Sequence, residues 1–433
     1  MSEWFSYRLD SIGNIITGST PNTSVSKYWN GNFPFYSPAD FTGSAYCYKT
    51  EKMITSEGLK ISRPIPKNAV MFACIASIGK VAMSGLPGIT NQQINTIIPF
   101  DSFDFRFIYY ILLFYSYKFI NYAPQTTIPI INKSDFSKFS FSLPPLPHQR
   151  KIARILTTVD NIIKRTENTV EKYKAIKQGM MHDLFTRGID VKTGKLRPSY
   201  GDAPELYKET ELGMIPKEWE ARQLQNCLSL LKDGTYLPPK RVPNGPLLLS
   251  VQNMINGKLA LTKSDTRIPW LFFDQMHKNW RVEVGDVLLA IVGATIGKSC
   301  AVPKGLPPFT LQRSVAVLRG LDGVLETTFL FYYVLSYFFQ YQLLARANQT
   351  AQPGVYLGEI EKIWISLPVI QEQKHICEKI AALDRKIDAE HEYLIKQVKL
   401  KQGLMQDLLA GKKEVTPDAE DFDKAVNHEQ KRI

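Results

Sequence analysis

Ser142-Leu143-Pro144 returns 224 residues later as Ser366-Leu367-Pro368, and this repetition constrains the fold more than any other feature. The same interval carries Gln149 onto Gln373, Asp160 onto Asp384 and Gln178-Gly179 onto Gln402-Gly403. It also carries Met181, Asp183 and Leu184 onto Met405, Asp407 and Leu408. Upstream, the correspondence persists while the interval shortens. Phe107 and Tyr110 match Phe329 and Tyr332 at 222, Ala76-x-Ile78-Gly79-Lys80 matches Ala294-x-Ile296-Gly297-Lys298 at 218, and Trp4 matches Trp219 at 215. A drift of one sign along two hundred residues is what loop insertions in one copy of a duplicated chain produce. The chain must therefore fold as two similar halves.

Each half divides again. Residues 1–147 and 212–370 mix short apolar, β-branched runs with Gly, Pro and Asn punctuation, which predicts two tandem mixed α/β domains. Residues 148–187 and 371–412 read as one long helix each, with 188–211 as a polar linker and 413–433, at net −2, as a disordered tail. Aromatic runs at 107–120 and 329–344 fall short of the ~20 apolar residues that span a bilayer and are broken by Lys118, Gln340 and Gln342, so they read as buried helices.

The long helices carry apolar stripes at spacings of three and four, including Ile152, Leu156, Val159 and Ile163 in the first and Ile376, Ile380, Leu383 and Ile387 in the second. A helix over 148–184 is roughly 55 Å long, too long to hide its stripe in one small domain. The expected partner is its duplicate, packed antiparallel as a coiled-coil spacer with internal pseudo-twofold symmetry. Gly179 and Gly403 occupy one repeat position deep in these helices, where glycine costs ~1 kcal/mol relative to alanine. Close approach of the crossing helix or of a docked subunit is the expected reason.

Charge points outward. Lys and Arg number 53 against 41 Asp and Glu, and 1–150 and 191–368 each carry a net +5, which suits a polyanionic partner for each half. Five scattered cysteines without a C-x-x-C pair argue against disulfides or a zinc knuckle and fit a reducing cytoplasm. The N-terminus has no basic stretch leading into an apolar one, so no signal peptide is expected. Gly293-Ala-Thr-Ile-Gly297-Lys298-Ser299 approaches a phosphate-binding loop but has three residues between its glycines where four are needed, so it reads as a strand followed by a tight glycine turn. The six histidines show no metal-ligand spacing, and no nucleophile elbow or dinucleotide fingerprint occurs. The pattern is that of a binder with no catalytic residues and no metal site.

Two variable α/β halves, each ending in Ser-Leu-Pro, a glutamine and a long helix bearing Q-G-x-M, resemble the specificity subunits of type I restriction-modification enzymes. The linker LRPSYGDAPELYKETELGMIPKEW and the paired A-x-I-G-K turns are similar to that family as well. The resemblance implies two target recognition domains, each reading half of a split, asymmetric site on double-stranded DNA. The helices would set the gap and dock two methyltransferase subunits, with restriction/translocase subunits joining beyond them. S-adenosylmethionine, ATP and Mg²⁺ would belong to those partners, with no cofactor in this chain and no membrane association.

Bases are read by side chains that pair with base edges, whereas phosphate contacts set register. Polar residues in Gly- or Pro-punctuated segments near the repeat anchors are the candidates. These are Ser77, Lys80, Gln92, Gln93, Gln125, Thr126 and Thr127 in the first half, and Thr295, Lys298, Gln312, Arg313, Gln349 and Thr350 in the second. Lys240 and Arg241 are secondary phosphate candidates. A free-standing DNA-binding regulator and a scaffold that binds only proteins are the rival readings. The long apolar helices argue against the first, and steeply salt-sensitive DNA affinity would exclude the second.

Overall fold

The computed structural model describes residues 3–123, 128–236, 239–255, 257–348, 353–419 and 421. The chain forms two compact units, Met1–Asn168 with Glu392–Ile433, and Thr169–His391. Each unit therefore contains one α/β lobe and a part of both long helices.

In the first unit a sheet runs in the order Gly13–Thr17, Ile94–Pro99, Val70–Ala73, Val81–Ser84, Tyr46–Cys47, and a second in the order Lys52–Ile54, Trp29–Tyr36, Gly88–Thr90, Pro64–Ile65. The second unit repeats the plan, with Leu228–Asp233, Val315–Gly320, Val287–Ala290 and Ser299–Ala301 as consecutive neighbours in one sheet and Thr266–Arg267, Val242–Leu249, Phe309–Leu311 in another. Val70–Ala73 and Val287–Ala290 are fully buried, which is why they read as unbroken apolar runs without alternation. The strand that ends each lobe pairs antiparallel with the strand that opens it: Phe5 faces Leu143 and Glu220 faces Leu367.

Each aromatic run forms two helices where one was expected. Phe105–Phe114 and Ser116–Tyr122 are separated at Tyr115, and Thr327–Val334 and Tyr337–Ala345 at Leu335 and Ser336. Asp104 caps the first by accepting the amides of Arg106 and Phe107, and the Ser336 hydroxyl accepts the Phe339 amide at the restart in the second unit. The break lets Phe119 and Phe339 turn fully into their cores.

The long helices span Leu146–Thr186 and Ile370–Leu408 and pack together antiparallel within each unit. In the first unit Asp160 pairs with Lys401 at 2.6 Å, and in the second Lys177 pairs with Asp384 at 2.6 Å. Much of the apolar stripe is covered by the lobes themselves. Ile152 and Leu156, with Met405, Leu408 and Leu409, join the core around Phe72, Phe107 and Phe119; Met181, Leu184 and Phe185, with Ile376 and Ile380, join that around Trp219, Phe329 and Tyr333. Val159 and Ile387 are buried, while Ile163 and Leu383 are half-buried. For Gly179 and Gly403 the crossing-helix half of the expectation is corrected. Both are exposed, and a Cβ added at either would meet nothing within 4 Å among the described residues, so no crossing helix requires them.

The connector is firmly built. Arg197 and Glu372, both buried, form a two-armed ion pair whose second arm is 3.0 Å; Glu372 also accepts the Ile189 amide at 2.8 Å and the Trp219 indole at 3.1 Å. The expectation of a disordered tail is likewise corrected for 413–419 and 421. Lys151 holds Asp418 at 2.6 Å, and Arg154 spans Asp418 and Asp421, pinning this segment to the start of the first long helix.

Candidate nucleic-acid interface

Backbone hydrogen bonds in each lobe bring four chain segments together around the glycine turn. In the first lobe Ala73 and Lys80 close the turn through Ala73 N–H to Lys80 O at 2.9 Å, and Gly79, at φ +93°, supplies the left-handed backbone it needs. In the second lobe Ala290 donates to Lys298 O at 2.8 Å around Gly297 at φ +89°. The turn is one residue longer there. Ala76 donates to Pro129 O, and its counterpart by hydrogen bonding is Gly293, which donates to Pro353 O; the sequence match to Ala294 is therefore one place out. The turn following Val292 is a three-residue 3₁₀ segment, Gly293–Thr295, and no α-helix starts there to offer phosphate its N-terminus.

Beside this turn lies the segment after Gly88–Thr90, equivalent to the one after Phe309–Leu311. Cys74 donates to Gln93 O at 2.7 Å, and Ile291 to Ser314 O at 2.9 Å. Asn91 donates to Tyr36 O at 2.9 Å, and Gln312 to Leu249 O at 2.9 Å. A loop absent from the sequence-based candidates completes the cluster: Gly18 and Ser19 donate to Ile94 O and Thr90 O, as Gly234 and Thr235 do to Val315 O and Leu311 O. A Cβ on Gly18 or Gly234 would lie 2.1 Å from the carbonyl oxygen of Asn91 or Leu311, so only glycine permits this approach. The recurrence of Gly18 as Gly234 at an interval of 216 is the signal that could have revealed it.

The predicted residues fall on this cluster unevenly. Gln92, Lys80, Thr295, Lys298 and Arg313 are exposed on it, while Ser77, Gln93 and Gln312 are half-buried. Gln92 accepts the Thr20 hydroxyl, and Gln93 is engaged locally by the Asn91 amide at 2.9 Å. The Lys80 ammonium is 3.5 Å from Pro38 O, and Thr295 donates to Val292 O at 3.3 Å. In the second lobe a cleft of about 220 Å³ opens here, lined by Asp233, Tyr236, Val292, Arg313, Gly354 and Tyr356. Lys240 and Arg241 are exposed, with Arg241 donating to Pro239 O at 2.9 Å. Gln125, Thr126, Thr127, Gln349 and Thr350 lie outside the described residues.

Burial pushes the Cys74 thiol up to about 12, with Asn95 donating to its sulfur at 3.2 Å, so it is no nucleophile at neutral pH. Among the described residues no group of three or more His, Cys, Asp or Glu side chains is placed to hold a metal. None of the described helices is long and apolar enough to cross a membrane.

Two α/β lobes of one plan, each presenting the same loop cluster and each resting on the same helix pair, define a tandem recognition protein. The family described as "Type I restriction modification DNA specificity domain" matches residues 1–172 and 273–400. The chain belongs to this family, that of type I restriction-modification specificity subunits. It is 24% identical over 421 residues to the type I restriction enzyme MjaVIII specificity subunit of Methanocaldococcus jannaschii, covering 95% of this chain and 93% of the relative. It is 23% identical over 332 residues to the EcoBI specificity subunit of Escherichia coli, covering 75% and 68%. In fold it resembles the crystal structure of the type I restriction-modification S subunit from M. genitalium, with a TM-score of 0.58 at 16% identity over 94% of this chain and 96% of that one.

Proposed function

We propose that this chain is the non-catalytic DNA-reading subunit of a type I restriction-modification complex and that its lobes read the two halves of a split, asymmetric site. The observation that carries this reading is the duplicated loop cluster. Two copies of one backbone frame hold different side chains at equivalent places, as a protein needs if it is to present similar surfaces to two different sequences. Exposed Lys80 and Lys298 flank the cluster and are suited to phosphate.

The antiparallel helices act as the spacer that sets the gap between half-sites. Exposed apolar residues on them, among them Ile176, Ile395 and Leu400, suit docking of two methyltransferase subunits, with restriction/translocase subunits recruited beyond. S-adenosylmethionine, ATP and Mg²⁺ then belong to those partners.

The test is a genome-wide map of methylated bases in cells carrying this chain with its modification subunit and no other methyltransferase. A motif of two unlike half-sites separated by a fixed gap is expected. A continuous motif, or none, overturns the reading.

A further inference from the structure

The duplicated frame allows the two lobes to be compared residue by residue at the exposed loop cluster. Five backbone hydrogen bonds recur around one exposed position. Asn91 and Gln312 precede it and donate to Tyr36 O and Leu249 O; Gln93 and Ser314 follow it and accept from Cys74 and Ile291. Ile94 and Val315 donate back to Asn91 O and Gln312 O and accept from Gly18 and Gly234, while Thr90 and Leu311 accept from Ser19 and Thr235. Anchored on both sides in the same way, Gln92 and Arg313 are the same position in the two lobes, and both are exposed.

Their hydrogen-bonding capacities differ in kind. A guanidinium offers donors only, in a planar fork, and guanine alone presents two acceptors, O6 and N7, to the major groove. A carboxamide offers one acceptor and a donor pair, the complement of adenine's N6 amine and N7. The first lobe prepares its glutamine for that task. The Thr20 hydroxyl donates to Gln92 Oε1, orienting the amide while leaving Oε1 a second lone pair and Nε2 its hydrogens. In the second lobe Tyr236 stands where Thr20 does, and its hydroxyl donates to Asp233 at 2.7 Å. Arg313 is exposed and lines the cleft together with Asp233, Tyr236 and Tyr356.

Resting on the proposed DNA-reading function, we propose that Gln92 and Arg313 are equivalent base-reading residues, with Gln92 selecting adenine and Arg313 selecting guanine at corresponding positions of the two half-sites. The lobes then differ at this place by one readable letter.

The experiment is the methylation map repeated with Gln92→Arg and Arg313→Gln in the full complex. Gln92→Arg is expected to convert one adenine of the first half-site to guanine. Arg313→Gln is expected to convert one guanine of the second to adenine. Each leaves the other half-site and the gap unchanged, and preference at that position shifts by about tenfold to a hundredfold. Gln92→Ala and Arg313→Ala, which ask nothing new of the fold, are expected to make the same single positions degenerate. A bipartite wild-type motif that survives unaltered in all four variants overturns this assignment alone. So does a uniform loss of methylation at every position of an otherwise unchanged motif, which would place both residues on phosphates. A wild-type map with no bipartite motif overturns the parent reading and the assignment with it.

Discussion

The Tyr110 hydroxyl donates a 2.7 Å hydrogen bond to Asp160, tying an aromatic helix of the first lobe to the first long helix. Lys401 of the second long helix completes the arrangement at 2.6 Å from the same carboxylate. The second unit repeats it, with Tyr332 donating to Asp384 at 3.0 Å and Lys177 pairing with that carboxylate at 2.6 Å. Burial first, then the neighbouring carboxylate, pushes the Tyr110 and Tyr332 hydroxyls above the ordinary phenol range, so both stay protonated donors. A lobe is thus locked to both long helices through one aspartate.

Removing that aspartate should loosen the lock. Asp160→Ala leaves the Tyr110 hydroxyl only the Thr157 hydroxyl at 3.4 Å and takes the carboxylate from the partly exposed Lys401 ammonium, and is expected to cost about 1–2 kcal/mol, while Tyr110→Phe, which leaves the Asp160–Lys401 pair intact, should cost about 1 kcal/mol or less. Chemical denaturation of the full chain measures both. Equal stability of Asp160→Ala and the wild type would show that the triad is ornamental.

Ala76 and Gly293 occupy one place in the two glycine turns with the same left-handed backbone, φ +59° and +76°. An L-residue there costs roughly 1–2 kcal/mol, partly offset by the extra freedom glycine gives the unfolded chain. Ala76→Gly is therefore expected to be neutral or to stabilise by up to about 1 kcal/mol, whereas Gly293→Ala destabilises by about 1 kcal/mol. Melting curves check this: a loss for Gly293→Ala with no loss for Ala76→Gly is expected, and a loss in both would contradict it.

Much of this plan was legible in the sequence because the repeat anchors make long-range hydrogen bonds that loop variation cannot disturb. Gln149 Nε2 donates to Pro144 O and its Oε1 accepts the Asp104 amide; Gln373 does the same with Pro368 O and the Glu326 amide. These joints bind the end of each lobe to its aromatic helix, so they recur at fixed places. Strand order was not legible, since pairing such as Gly13–Thr17 on Ile94–Pro99 joins segments that no local period connects. The helical glycines did not reveal their neighbours for a related reason: a glycine inside a helix does not say which backbone approaches it, and among the described residues of this chain none does. Thr20 and Tyr236 were missed because neither residue type repeats, although the glycine that places each of them does.

His277 is expected to make the stability of the second unit depend on pH. It is buried with its Nδ1 3.0 Å from Trp280 O and its Nε2 without a partner among the described residues. Burial lowers its pKa, Arg281 adds to the lowering, and the Trp280 carbonyl and Asp274 oppose it. A histidine depressed in the folded state binds its proton more readily when unfolded, so stability is full above the unfolded pKa of about 6.5 and falls as pH drops through that value toward the folded one. His277→Asn keeps a donor for Trp280 O and should flatten the stability profile between about pH 7 and 5. A profile as steep as the wild type's would assign the acid sensitivity to other groups.

The spacer proposal can be tested through helix length. Asp160 meets Lys401 and Lys177 meets Asp384, so within each unit the antiparallel register keeps the same sum of residue numbers. Four residues inserted near 170, matched by four near 391, preserve that register on both sides of the insertions and lengthen each helix by about 6 Å at 1.5 Å per residue. DNA rises about 3.4 Å per base pair, so the gap between half-sites should grow by one or two base pairs while both half-site sequences stay as they were. Methylation mapping reads gap and sequence together. An unchanged gap in a folded, active variant would mean that something other than these helices measures the distance, and changed half-site sequences would mean that the lobes do not read independently of their spacer.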